Sequence, residues 1–313
     1  MNPPSKTHAI VVGGGTMGAD VAVVLLRAQC RTTIVEPDAS RHATIAARTD
    51  AGLAHLDCAE NSRYASIVSS LDEADWASAG LVIECIPEQL DLKQKLFGRL
   101  VELSTPDTVL CSNSSSYPIS DIAQGLPTRN RMLGLHFFMP AHIVPLVEVV
   151  LSADTEAGLG ESLAAFMRRC GSVPVLVRKD VPGFLANRLQ HALAREAYAL
   201  IEQGIASPED IDAAVRFGFG FRYLAAGPVL QRDHGGLDVH CAAARSMYPT
   251  LCNDAAPAAI LAERADAGKT GMKAGEGFYT WTPESIAAER KRYDAMLRAG
   301  LELLAGELPK IQP

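Results

Sequence analysis

One glycine-rich run, AIVVGGGTMGADVAVVLLRAQCRTTIVE from Ala9 to Glu36, restricts the folds open to this chain more than any other stretch. It reads as a buried strand, a turn, an amphipathic helix and a second strand that ends on a carboxylate. Gly13, Gly15 and Gly18 fill the G-x-G-x-x-G spacing. The first glycine lets the chain turn tightly, the second lets the backbone approach a pyrophosphate, and the third lets the helix lie close to the strand. Thr16 and Met17 complete the turn, and the free N–H groups at the helix N-terminus favour phosphate there. Glu36 stands 18 residues after Gly18, where an acid accepts hydrogen bonds from a ribose and repels a 2′-phosphate. The run therefore specifies a nucleotide-binding βαβ unit and points to NAD rather than NADP.

A chain of 313 residues exceeds one typical domain, so two domains are expected. Its residues are 48% apolar and 21% charged, enough for a sizeable core. The net charge of −7, with no basic cluster to offset it, argues against nucleic-acid or membrane-surface partners. No apolar run approaches a bilayer span, and the opening MNPPSKTH lacks the apolar core of a signal peptide. The seven cysteines form no C-x-x-C, so neither a zinc site nor a disulfide framework is expected. Reduced thiols in the cytoplasm fit this usage.

Along the first half, Ile10–Val12, Thr33–Val35, Leu81–Cys85, Thr108–Cys111 and Met132–His136 read as short buried strands between helical stretches. That alternation predicts an α/β fold, a Rossmann-type doubly wound, mostly parallel sheet covered on both faces. Leu146–Leu151 and Val173–Val177 are expected to add edge strands, with parallel and antiparallel pairing both open. After Pro182 the pattern turns helical, over Phe184–Gln203, Pro208–Phe217 and Val229–Met247, with a surface helix over Pro283–Leu304. The expected division is a nucleotide-binding domain over 1–180 and an all-α domain over 181–313, punctuated near Lys179–Gly183.

Six patches in order, GGGTMG, IECIPEQLDLKQKLF, SNSSSYPISDIA, GLHFFMPAHIVPLVEVV, DVPGFLANRL and GMKAGEGFY, resemble the 3-hydroxyacyl-CoA dehydrogenase family from about residue 8 to about residue 281. The resemblance implies an N-terminal Rossmann domain and a helical domain that forms a homodimer interface. It implies NAD-dependent oxidation of the hydroxyl of an L-3-hydroxyacyl-CoA, and a place in fatty acid metabolism. His136, at the end of a predicted strand, and Glu148, 12 residues later in PLVEVV, match the family's catalytic pair. His136 would take the hydroxyl proton, and Glu148 would orient the ring and stabilise its charged form. Read without the family, the pair is a satisfied core histidine beside a strand glutamate.

Ser115 and Asn187 match the groups that hold the substrate oxygen, and Asn113 matches a neighbour of the nicotinamide ribose. As bare residues the serine cluster reads as a turn or helix cap, to which Ser116 or Ser120 would contribute, and Asn187 as an exposed helix residue. Glu88 and Lys93 match a cofactor-contacting acid and lysine; by themselves they read as charges on a solvated helix start. No histidine spacing implies a metal, and His191, His234 and His240 read as ordinary surface residues.

Three features depart from the acyl-CoA pattern. Met139 stands where the family carries an asparagine after HFF, replacing a hydrogen bond with an adaptable apolar contact. The arm after the second strand, Asp38–Asp75, is shorter than in CoA-using members and contains no lysine. Its Arg41, Arg48 and Arg63 lie among Asp50, Asp57 and Glu60, as on a solvated mixed-charge helix. Arg222, within FGFGFRYLAAGP, stands near where gulonate and carnitine dehydrogenases carry an arginine. A partly buried guanidinium there would clamp a carboxylate, or else satisfy helix carbonyls or Asp233. The alternative substrate is therefore a small carboxylate-bearing alcohol without CoA. A further alternative is a non-catalytic NAD-binding protein.

Overall fold

Short runs of β-branched and aliphatic residues leave both faces of a strand apolar, and such strands have to be covered on each side. In the computed structural model, which describes all 313 residues, they form one eight-stranded sheet. The strands are β1 (His8–Val12), β2 (Arg31–Val35), β3 (Ala65–Val68), β4 (Ala79–Glu84), β5 (Val109–Ser112), β6 (Met132–Phe137), β7 (Leu146–Val150) and β8 (Val173–Val177). Their spatial order is β3-β2-β1-β4-β5-β6-β7-β8. All neighbours run parallel except β6 and β7. Strand order reverses at β1 and β4, which opens the ligand crevice of a doubly wound sheet at their carboxyl ends.

Within the sheet, two sequence readings change. Strand β7 is interior, not an edge: β8 pairs with it in parallel and takes the edge. The mixed-charge arm also holds a strand, β3, whose half-exposed residues gave no period-two pattern to find. Only the β6–β7 pairing is antiparallel, and it sets Glu148 directly opposite His136.

Helices α1 (Thr16–Leu26), α2 (His42–His55), α3 (Leu90–Leu103), α4 (Ile119–Ile122) and α5 (Leu159–Arg169) cover the sheet. The amphipathic reading of α1 fails, because Gly18 through Leu26 are all buried. One side packs on β1, β4 and β5, and the other meets Ile45 and Leu53 of α2. A second core on the opposite face joins Phe97 and Leu100 of α3 to Val82 and Leu110.

By its contacts the chain divides into two units, Met1–Asn187 with Ala305–Pro313, and Arg188–Leu304. Helix α6 (Ala186–Glu202) is followed by α7 (Pro208–Ala214), α8 (Gly220–Arg222), α9 (Pro228–Gly235), α10 (Leu237–Met247), α11 (Ala259–Asp266) and α12 (Pro283–Leu303). The single helix expected over Val229–Met247 is broken at Gly236, whose φ of +88° lies outside the helical region. A π-turn over Val215–Phe219, with Gly218 off the helical path, interrupts the stretch expected to run to Phe217. Thr282 and Ser285 form a reciprocal capping box at the start of α12. No helix is long and apolar enough to cross a membrane.

Candidate active site

The turn after β1 shows why glycine is required at two of its positions. Gly13 has φ of +102°, and a Cβ there would come within 2.8 Å of the Cys85 carbonyl oxygen. A Cβ on Gly18 would run into the Gly13 carbonyl oxygen. Gly15 faces open space and caps α1 without a side-chain hydrogen bond, so the amides of the first turn remain available to an anion. Thr16 and Met17 form that first turn. These features fit the pyrophosphate of NAD.

Glu36 is nearly buried at the end of β2. Its Oε2 accepts from the Gly14 amide at 3.1 Å and pairs with Arg41 at 3.0 Å, while Oε1 accepts from the Asp38 amide at 3.2 Å. The carboxylate is thus fixed at the glycine turn by backbone amides before any ribose reaches it.

At the antiparallel corner, His136 Nδ1 lies 2.8 Å from Glu148 Oε2. Both residues are buried, Glu148 completely. Phe138 meets the imidazole edge-on at 4.5 Å between ring centroids, and Phe184 packs against it at 5.6 Å. Glu148 Oε1 accepts from the backbone amides of Leu185 and Ala186 at 3.1 and 2.8 Å. Burial pushes the Glu148 carboxyl up, but the bonds from His136 and these amides outweigh it, and the net displacement is below the usual range. Phe184 adopts φ of +49° just before the two amides. The motif DVPGFLANRL therefore delivers backbone donors to Glu148, a role its side chains do not reveal. With Nδ1–H committed to a carboxylate, Nε2 is the ring nitrogen left to exchange a proton.

The serine loop is held from below by a charge cluster whose buried acid, Glu84, the sequence did not single out. Glu84, at the end of β4, is fully buried, as is Lys93 on α3. Lys93 Nζ lies 2.7 Å from Glu84 Oε1, 3.2 Å from Glu88 Oε2 and 3.4 Å from the Ile86 carbonyl. Its three N–H groups are all committed within the protein. Glu84 Oε2 also accepts from Ser112 Oγ at 2.6 Å, and that hydroxyl accepts from the Ser114 amide at 3.1 Å.

Glu88 Oε1 accepts from Ser114 Oγ, the Ser115 amide, and both the amide and hydroxyl of Ser116, at 2.7 to 3.1 Å. Partial burial raises its pKa, and the serine bonds and Lys93 bring it down to about 2. The solvated-helix reading of Glu88 and Lys93 is therefore replaced by an ionic staple, and Ser116 serves Glu88 rather than a helix cap. Asn113 Oδ1 accepts from the Phe137 amide at 2.9 Å, tying the end of β5 to the strand that carries His136. Asn187 Nδ2 lies 3.5 Å from the Ser115 carbonyl oxygen.

A cavity of about 400 Å³ gathers Met17, Cys85, Glu88, Asn113, Ser115, His136, Met139 and Asn187. Met139 is 60% exposed there. His136, Ser115 and Asn187 thus share one chamber with the end of the glycine turn. Arg222, in the second unit, is exposed, which corrects the partly buried position expected for it. It pairs with no carboxylate, Asp233 included.

The arm's arginines each hold an internal partner. Arg41 pairs with Glu36, Arg48 grips Asp20 of α1 through two bonds of 2.8 and 3.0 Å, and Arg63 lies over the Tyr64 ring. Asp20 is fully buried, and Nδ1 of His142, in the loop after Met139, faces it at 3.5 Å. Elsewhere His240 Nδ1 lies 3.1 Å from Arg232 Nη1, and no group of three His, Cys, Asp or Glu residues is placed to hold a metal ion.

The NAD binding domain of 3-hydroxyacyl-CoA dehydrogenase matches residues 8–181, and the C-terminal domain of that enzyme matches residues 183–281. The chain belongs to the 3-hydroxyacyl-CoA dehydrogenase family. It is an NAD-dependent oxidoreductase with a small-molecule substrate.

Among curated relatives, it is 33% identical over 302 residues to 5-formyl-3-hydroxy-2-methylpyridine 4-carboxylate 5-dehydrogenase of Mesorhizobium japonicum, covering 93% of this chain and 97% of that protein. It is 35% identical over 293 residues to the mitochondrial hydroxyacyl-coenzyme A dehydrogenase of Homo sapiens, covering 88% and 91%. A crystal structure of a 5-formyl-3-hydroxy-2-methylpyridine 4-carboxylic acid 5-dehydrogenase, described as an NAD+-dependent dismutase, superposes with a TM-score of 0.87 at 28% identity, covering 95% of this chain and 98% of that one.

Proposed function

We propose that this family member interconverts a small, free carboxylate-bearing alcohol and its carbonyl compound, using His136 and Glu148 to move the proton. The hydrogen bond of 2.8 Å between these two residues, buried at the wall of the cavity, carries the reading. Bound NAD supplies the hydride acceptor at the nicotinamide C4. In oxidation, His136 Nε2 takes the hydroxyl proton while Ser115 and Asn187 hold the substrate oxygen. Glu148 keeps Nδ1 protonated, which fixes the ring orientation, and its negative charge stabilises the imidazolium that results. In reduction, the protonated ring returns that proton to the developing alkoxide. Phe138 and Phe184 exclude water from the imidazole, which strengthens its bond to the carboxylate.

The cofactor is gripped at the glycine turn, with Glu36 at the ribose. Glu88, Lys93 and Asn113 act on it by holding the loop that faces it.

Thioester substrates bearing CoA are the family's alternative. The arm argues for the free acid, because Arg41 and Arg48 are each paired with a carboxylate of the protein and Arg63, over the Tyr64 ring, is the one arginine left without such a partner. The pyridine-carboxylate relative, which carries no CoA, supports the same choice. Arg222, exposed and without an internal carboxylate partner, is the proposed anchor for the substrate's acid group, and Met139 the apolar contact that shapes substrate choice.

NADH oxidation measured with acetoacetyl-CoA, free acetoacetate and a panel of small oxo acids, aromatic ones included, tests this assignment. Turnover confined to free acids is expected, with KM raised by Arg222→Met. Fast turnover restricted to the thioester would overturn it.

A homodimer formed through the helical unit is also proposed. Within Arg188–Leu304 only Ala199 and Ala226 are buried hydrophobics, while Phe217, Phe221, Val229, Val239 and Tyr248 are more than half exposed. Exposed apolar side chains of this kind support an interaction surface, and a second copy is the proposed partner. The free cysteines suit a reducing compartment such as the cytoplasm.

A further inference from the structure

The cavity around His136 is lined by neutral side chains apart from the imidazole itself and Glu88. Behind Glu88, the buried cluster contains two carboxylates and one ammonium. Lys93 lies closer to Glu84, at 2.7 Å, than to Glu88, at 3.2 Å. The cluster therefore carries one uncompensated negative charge. It emerges at Glu88, whose side chain is 36% exposed, whereas Glu84 is sealed. The loop amides that could have offset a second anion are themselves bonded to Glu88. Its serine and lysine partners keep it ionised throughout the neutral range.

We infer that Glu88 discriminates between the two redox states of the cofactor, favouring NAD+ over NADH. The inference rests on the hydride-transfer reading above. The carbon that loses hydride is bonded to the oxygen that His136 deprotonates, so the nicotinamide ring has to share this cavity. The ring carries a positive charge in NAD+ and none in NADH; the rest of the cofactor is identical. A fixed carboxylate facing the ring lowers the free energy of the oxidised form alone, by Coulomb attraction moderated by solvent. Glu88 acts here through its charge, as distinct from its hydrogen bonds, which staple the serine loop. The two roles separate because a glutamine keeps an oxygen acceptor for the loop and loses the charge.

Isothermal titration of the full-length protein with NAD+ and with NADH, in wild type and in Glu88→Gln, tests this without any turnover. The ratio of the NADH to the NAD+ dissociation constant is expected to fall about tenfold in the variant, mostly through weaker NAD+ binding. An unchanged ratio in a folded variant, or equal weakening of both forms, would overturn the inference and leave Glu88 a loop staple only. If the variant does not fold, the wild type decides. Its ratio should fall as salt rises from about 0.01 M to about 1 M, over which the Debye length shortens from about 30 to about 3 Å. A ratio indifferent to salt would then reject the charge effect. The hydride-transfer reading is judged separately, by turnover of His136→Gln, so the two can fail independently.

Discussion

Two fully buried glutamates lie in one sheet and do different work. Glu148 is opposite a histidine at the antiparallel corner, where the partner's charge is optional. Glu84 is locked to a buried lysine at the end of a parallel strand. A buried carboxylate needs a counter-charge or several hydrogen bonds; Glu84 has both, and Glu148 has the hydrogen bonds. Their partners differ in what they face. The imidazole of His136 lines the cavity and keeps Nε2 free of the carboxylate, whereas the Lys93 ammonium is sealed against two carboxylates and a carbonyl, so the β4 end serves as fixed structure.

Activity gives the largest expected break in this comparison. His136→Gln should lower kcat by about 10²- to 10⁴-fold while NAD affinity by calorimetry stays near that of wild type. Glu148→Gln should follow with a loss of about 10²-fold, the lower end of that range, because the ring keeps its place and loses its charge partner. Wild-type turnover in either variant would remove the corner from the reaction.

The β4 end should respond in stability instead. Lys93→Met leaves two carboxylates facing an apolar side chain and should cost about 3–5 kcal/mol in urea unfolding. A change under about 1 kcal/mol would show that the cluster does not depend on its ammonium.

The smallest effects are in pH dependence. Glu88 titrates at about 2 in the folded chain, below its ordinary 4.5. Its stabilisation is therefore fully present above about pH 4.5 and fades as the pH falls toward 2. The gap in urea midpoint between wild type and Glu88→Gln should close over that window. His8 is held neutral first by burial and then by Arg31, so its pKa lies below 6.5. Its stabilisation is complete above 6.5 and is lost as pH falls, and replacing it with glutamine should flatten the stability profile on that acid side. A wild-type profile flat between these limits would contradict both signs.

Much of this was legible because the relevant physics is local. The glycine spacing of Gly13 and Gly18 reflects close approaches between neighbouring backbone segments, and the alternation of buried strands with helices sets the doubly wound sheet. His136 and Glu148 were visible as an unusual pair of polar residues in apolar runs. Glu84 was not, because the carboxylate within IECIP carries no signal until α3 brings Lys93 over it. Asp20 was hidden in the same way: in an apolar helix its charge makes sense only once Arg48 of α2 and His142 are found against it.

By itself the sequence determined the nucleotide-binding unit and the family, since each rests on spacing and order along the chain, and the family resemblance singled out His136 and Glu148. The register of β6 against β7, the left-handed turn at Phe184 that aims two amides at Glu148, and the ionic staple beneath the serine loop were decided by tertiary structure alone. The physical reason is that burial and charge compensation depend on which segments meet in space, and residues distant in the chain supply the partners that make a buried charge tolerable.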